Sequence, residues 1–68
     1  MKPVSGKKFA KILENHGWIL SRIQSSHHIY CKEGSVARIS VPIHSNKPMK
    51  IGLQKHLMKI AELTEKDI

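Results

Sequence analysis

Acidic residues, cysteine and aromatic side chains are all scarce in this chain. Five Asp and Glu among 68 residues leave few carboxylates with which to complete a metal site. One cysteine, Cys31, excludes an internal disulfide and fits a reducing compartment. No apolar run approaches the roughly 20 residues of a membrane span, and no signal-peptide pattern opens the chain. The expectation is a cytoplasmic protein with no membrane partner. Gly6, Gly17, Gly34 and Gly52 are isolated, so no phosphate-binding glycine loop exists. No Ser-His-Asp or Cys-His arrangement stands out. Cys31 reads as a small core residue.

What is abundant is positive charge. Twelve Lys and Arg give a net charge of +7 and a pI near 9.9. Lys2 to His16 carries +3, Arg22 to Arg38 +2 and Lys47 to Lys59 +4, while Glu62 to Ile68 carries −2. So dense a charge opposes compactness unless a polyanion uses it, either nucleic acid or an acidic protein.

Length allows one domain over residues 1–68, and a chain this short buries only roughly 60% of its unfolded surface. Ser5 is a candidate N-cap. Phe9, Ile12, Leu13 and His16 recur at helical spacing, and Gly17 is a C-terminal stop, so a helix is expected over about 5–16. Three strands follow: Trp18 to Gln24, His27 to Lys32, and Val36 to Val41 closed by Pro42. The turns are Ser25-Ser26 and Glu33-Gly34-Ser35. Alternation puts Ile29 and Cys31 on one face of the second strand, and Ala37, Ile39 and Val41 on one face of the third. Tyr30, Arg38 and Ser40 take the opposite face. A second helix over about 51–62 carries Leu53, Leu57, Ile60 and Ala61 on one face, and Thr64 caps a last turn through Asp67. The expected fold is α+β, in the order α-β-β-β-α: a three-stranded antiparallel sheet with two helices on one face. Double-stranded-RNA-binding domains share that order.

Five histidines invite a metal hypothesis. His27 and His28, being adjacent on a strand, point to opposite faces and cannot share one ion. His16 and His56 read as helix-surface or core-edge residues. No metal or other cofactor is expected. A histidine beside a turn, in a basic protein, suggests cleavage of RNA, which carries its own nucleophile in the 2′-hydroxyl. Such an enzyme needs a group to move protons and positive charge to hold the phosphate. A plain RNA-binding module, or a subunit that binds only an acidic protein, fits the same composition. Trp18 reads as core. Tyr30 either packs or stacks on a base.

Gly17-Trp18, Arg22, Ser26-His27-His28-Ile29-Tyr30, Val41-Pro42-Ile43-His44, Lys50-x-Gly52-Leu53 and Ile60-Ala61-Glu62-Leu63-Thr64, taken in order, resemble the HicA family. These are small toxins of bacterial toxin–antitoxin pairs, described as mRNA interferases. The resemblance runs from about Ser5 to Thr64. It implies a fold like that of double-stranded-RNA-binding domains, endoribonuclease activity, mRNA as substrate and a HicB-type antitoxin as partner. The family's catalytic histidine falls on His27. Ser25 stands where the family usually has glycine. A left-handed backbone there would come at a cost in serine. The implied mechanism is metal-independent, with His27 as general base or acid at the 2′-hydroxyl. Ser26 and Tyr30 lie at the RNA, and Lys7, Lys8, Lys11, Lys47, Lys50 and Lys55 hold its backbone without reading sequence.

Overall fold

The computed structural model describes residues 1–68. α1 spans Gly6–Asn15. The Ser5 hydroxyl accepts from the Lys8 backbone N–H at 3.1 Å, so the expected N-cap is in place. At the other end Gly17 takes φ +91°. Its N–H donates to the Glu14 carbonyl at 3.2 Å, and the Trp18 N–H donates to the Leu13 carbonyl at 3.0 Å. These paired bonds form a Schellman stop, which glycine makes without strain. Trp18 is thereby held at 4% exposure in the core.

The buried stripe of α1 is Gly6, Phe9, Ala10 and Leu13, which corrects the expected face. Ile12 is only partly buried, and His16 caps the helix with its ring 3.6 Å from Asp67. Gly6 explains the rotation. A Cβ there would overlap the Pro42 carbonyl oxygen, so the helix start lies directly against the end of the sheet.

The strands are β1 (Ile19–Gln24), β2 (His27–Cys31) and β3 (Arg38–Pro42), antiparallel in the order β1-β2-β3. β3 begins two residues later than expected. Ser35 folds back on the loop, accepting from the Ala37 N–H at 3.1 Å, and Val36 projects into solvent. Pro42 lacks an N–H and sits at the end of an edge strand, where none is needed.

Cross-strand partners share a face, and the register pairs Tyr30 with Ile39 and His28 with Val41. The expected placement of Tyr30 is therefore corrected. Its side chain is 1% exposed and points at the helices with Ile39 and Val41, which are fully buried. Ile29 and Cys31 lie on the open face instead, partly buried, so Cys31 is not a core residue. One ladder slips between Leu20 and Arg22. That bulge returns Leu20 to the helix-facing side and leaves Arg22 on the open side.

α2 spans Ile51–Ala61 and buries Gln54, Leu57, Met58 and Ala61. Leu53 is exposed and Ile60 partly so, another correction. The cause is Gln54, fully buried and satisfied by the chain's own start. Its Oε1 accepts from the Val4 N–H at 2.7 Å, and its Nε2 donates to the Lys2 carbonyl at 3.1 Å. A buried amide is tolerable only when so paired. The Met49 N–H donates to the Val4 carbonyl at 2.9 Å, so the lead segment straps the start of α2. Thr64 caps a last short turn, η1 (Glu65–Asp67), through reciprocal bonds with Asp67. The Thr64 backbone N–H is the main reason that carboxyl lies below its usual range. The fold is α+β with both helices on one face of a three-stranded antiparallel sheet. It is compatible with the double-stranded-RNA-binding-domain arrangement.

Candidate active site and nucleic-acid interface

The β1–β2 turn is two residues long, with Gln24 facing His27 across it. Ser25 adopts φ +58° and Ser26 does not turn positive. That is the φ pattern of a tight hairpin whose first central position favours glycine. Serine there carries the strain anticipated from the sequence. The turn is nonetheless fixed, because the Ser26 carbonyl accepts from the Ile43 N–H at 2.8 Å. Three parts of the chain converge here: the turn, the end of β3 and, through Gly6 on Pro42, the start of α1.

His27 is the first residue of β2 and is exposed. It lies on the open face, flanked by Gln24 and Pro42. The side-chain hydrogen bonds of the fold lie elsewhere, so both ring nitrogens are free for a ligand. Arg22 pairs with Ile29, which makes it the diagonal neighbour of His27 on the same face. Such positions are about 7–8 Å apart, within reach of a guanidinium. No carboxylate belongs to the strand positions of this face. Sequence reading did not place Arg22 in the site. The signal is the ladder register, which the bulge hides from a simple alternation count.

His28 turns the other way. It lines a hollow of about 550 Å³ under α1, with Lys7, Lys11 and Glu14 on one wall and Leu20 and Tyr30 on another. The Tyr30 hydroxyl donates to Glu14 Oε2 at 2.8 Å. Burial, reinforced by this hydrogen bond and by the Glu14 charge, pushes the Tyr30 phenol up to about 12. Its ring is buried and offers no face for a base to stack on.

The six lysines expected at RNA divide into separate places. Lys7 and Lys11 line the hollow beside His28. Lys8 faces away from them, lining a second hollow with Lys2, Glu65 and Ile68. Lys47 and Lys50 line a third with Pro42, His44 and Leu53. Pro42 is also the β3 neighbour of His27, so this last pair belongs to the His27 end of the sheet. Lys55 is exposed on α2 and lines none of these. No three His, Cys, Asp or Glu side chains converge as a metal-binding group. No helix is long and apolar enough to cross a membrane.

Compared with known families, the chain matches over residues 6–63 the model described as HicA toxin of bacterial toxin-antitoxin. No curated protein matches it.

Proposed function

Because the chain belongs to the HicA toxin family, we propose that it is an endoribonuclease that cleaves mRNA with His27 as its proton-transfer group. The observation that carries this is the position of His27: exposed, unengaged and on the same sheet face as Arg22. The imidazole takes the proton of a 2′-hydroxyl. The freed oxygen attacks the adjacent phosphorus, the bond from phosphorus to the 5′-oxygen breaks, and that oxygen leaves with a proton from water, while the imidazolium returns its own proton to solvent. The products carry 2′,3′-cyclic phosphate and 5′-hydroxyl ends. Arg22 supplies charge to the phosphorane oxygens, a role suited to its planar fork of donors. Lys47 and Lys50 hold the flanking backbone. The residues provide no obvious second acid–base group on this face, which fits a slow enzyme. The reaction as written uses no metal.

Membership of a toxin–antitoxin family implies an antitoxin partner. We take it to be HicB-like, acidic where it meets Lys47 and Lys50, and to inhibit by covering His27. Attraction would speed encounter, and burial of the site would slow release. Amides of Ser26 to Tyr30 should exchange more slowly in the complex. Equal exchange with and without antitoxin contradicts occlusion.

Incubation of the purified protein with RNA in EDTA, followed by analysis of fragment ends, tests the chemistry. Fragments with 2′,3′-cyclic phosphate ends are expected. Intact RNA that binds without being cut would make the protein an RNA-binding module, and cutting that stops in EDTA would overturn the metal-free mechanism.

A further inference from the structure

The hollow behind His27 has the chemistry of a nucleotide subsite. Its volume of about 550 Å³ lies within the roughly 300–1,000 Å³ of small-molecule sites. Lys7, Lys11 and Glu14 fall at i, i+4 and i+7 of α1, so one helix face presents two cations and then a carboxylate. Leu20 and the buried Tyr30 give it apolar wall, and His28 gives it a flat ring of the kind on which bases stack. The carboxylate is not adventitious in its orientation. Tyr30 donates to Glu14 Oε2 at 2.8 Å, which fixes the group and leaves Oε1 without a protein partner. A carboxylate oxygen only accepts. It therefore favours a base whose exocyclic amine projects an N–H, as in cytosine, adenine and guanine, over uracil, whose one edge N–H lies between two carbonyl oxygens that a carboxylate repels.

We propose that this hollow, between α1 and the helix-facing side of β2, binds one nucleotide of the RNA strand. Lys7 and Lys11 hold its phosphate and Glu14 accepts from the amino group of its base. The proposal rests on the reading of RNA as substrate and adds a specificity that the lysines alone lack. Since His27 and His28 are consecutive, the strand that reaches the hollow passes the edge of the hairpin on its way to His27. Chemistry then belongs to one face and base selection to the other.

The test is binding, independent of cleavage. Short 2′-O-methyl oligonucleotides of A, C or U cannot be cut through a 2′-hydroxyl, and their affinities are measured by fluorescence anisotropy. The A and C oligomers should bind about threefold to tenfold tighter than U, the worth of one hydrogen bond. Glu14→Gln keeps an oxygen for the Tyr30 hydroxyl and turns an amide NH2 towards the base. The preference should then shift towards U, whose O4 accepts. Amide resonances of Ala10, Lys11 and His28 should move on titration with wild-type protein. Equal affinities unaltered by Glu14→Gln overturn the proposal, as do shifts confined to the open face. Shifts in the hollow with antitoxin but not with RNA overturn it in favour of a protein side chain. Selective binding without cleavage of ordinary RNA would leave the subsite standing and remove the nuclease reading.

Discussion

His27 and His28 are consecutive, and the fold gives them opposite surroundings. His27 stands on an open sheet face with Arg22 diagonal to it and no partner on its ring. His28 faces a walled hollow under α1, beside a carboxylate already oriented by a buried tyrosine. Strand alternation alone produces the difference. The lesson is that a short His-His motif in a strand is two sites, and that residue type does not say which does chemistry. Freedom of the ring and nearby positive charge point to His27. A fixed acceptor and the flanking lysines suit the His28 side to recognition.

Away from the two histidines themselves, the largest expected effect that sharpens this contrast comes from the lysines. Replacing Lys47 and Lys50 with Ala should weaken RNA binding and reduce the slope of log K against log salt by about 1.4, taking about 0.7 per phosphate contact of a single strand. An unchanged slope in salt titrations would place the RNA backbone away from the His27 end. Lys8→Ala, on another surface, should leave the slope unaltered.

Arg22→Ala should lower kcat about tenfold with little change in KM, because its charge acts on the phosphorane rather than the ground state. An increase in KM alone would make Arg22 a plain phosphate contact.

The hollow side can be broken through Tyr30. Tyr30→Phe should cost about 1 kcal/mol, one partly buried hydrogen bond, as read by urea unfolding. Its signature is in the pH dependence. The folded phenol ionises at about 12 and the unfolded one near 10. The folded state therefore holds the proton more tightly. The resulting stability is fully present below pH 10 and is lost as pH rises to about 12. The wild type should therefore lose more stability in that window than Tyr30→Phe. Parallel curves for the two proteins would show that burial and Glu14 do not hold the phenol protonated.

The smallest effect is at the turn. Ser25→Gly should stabilise by about 0.5–1 kcal/mol, since φ +58° strains serine and not glycine. Glu62, at φ +59° in the left-handed stop after α2, should respond similarly to glycine. Loss of stability in Ser25→Gly, measured by thermal unfolding, would mean that the serine side chain holds the turn.

Element order was legible in the sequence because each boundary carries a local signal: Ser5 at a cap, Gly17 at a stop, Ser25-Ser26 at a turn. Faces were legible only where one strand's pattern sufficed, as for Ile39 and Val41. Tyr30 was misplaced because its partner depends on register across two strands. The helix stripes are hidden because Gly6, at the start of the α1 stripe, and Gln54, within that of α2, are not apolar landmarks. In the candidate site, the pair of histidines beside the turn was legible from the residues, and the choice of His27 over His28 came from a resemblance. Arg22 and the Glu14–Tyr30 pair came from pairing and distance, which no spacing rule in the sequence encodes.

The division between the two faces is tested most directly by steady-state cleavage kinetics of wild type, His27→Ala and His28→Ala on one RNA, with circular dichroism confirming that each folds. His27→Ala should lose about 10²–10⁴-fold in kcat. His28→Ala should keep most of kcat and raise KM. Undiminished kcat in His27→Ala, with the loss appearing in His28→Ala instead, would contradict the assignment and move the chemistry into the hollow.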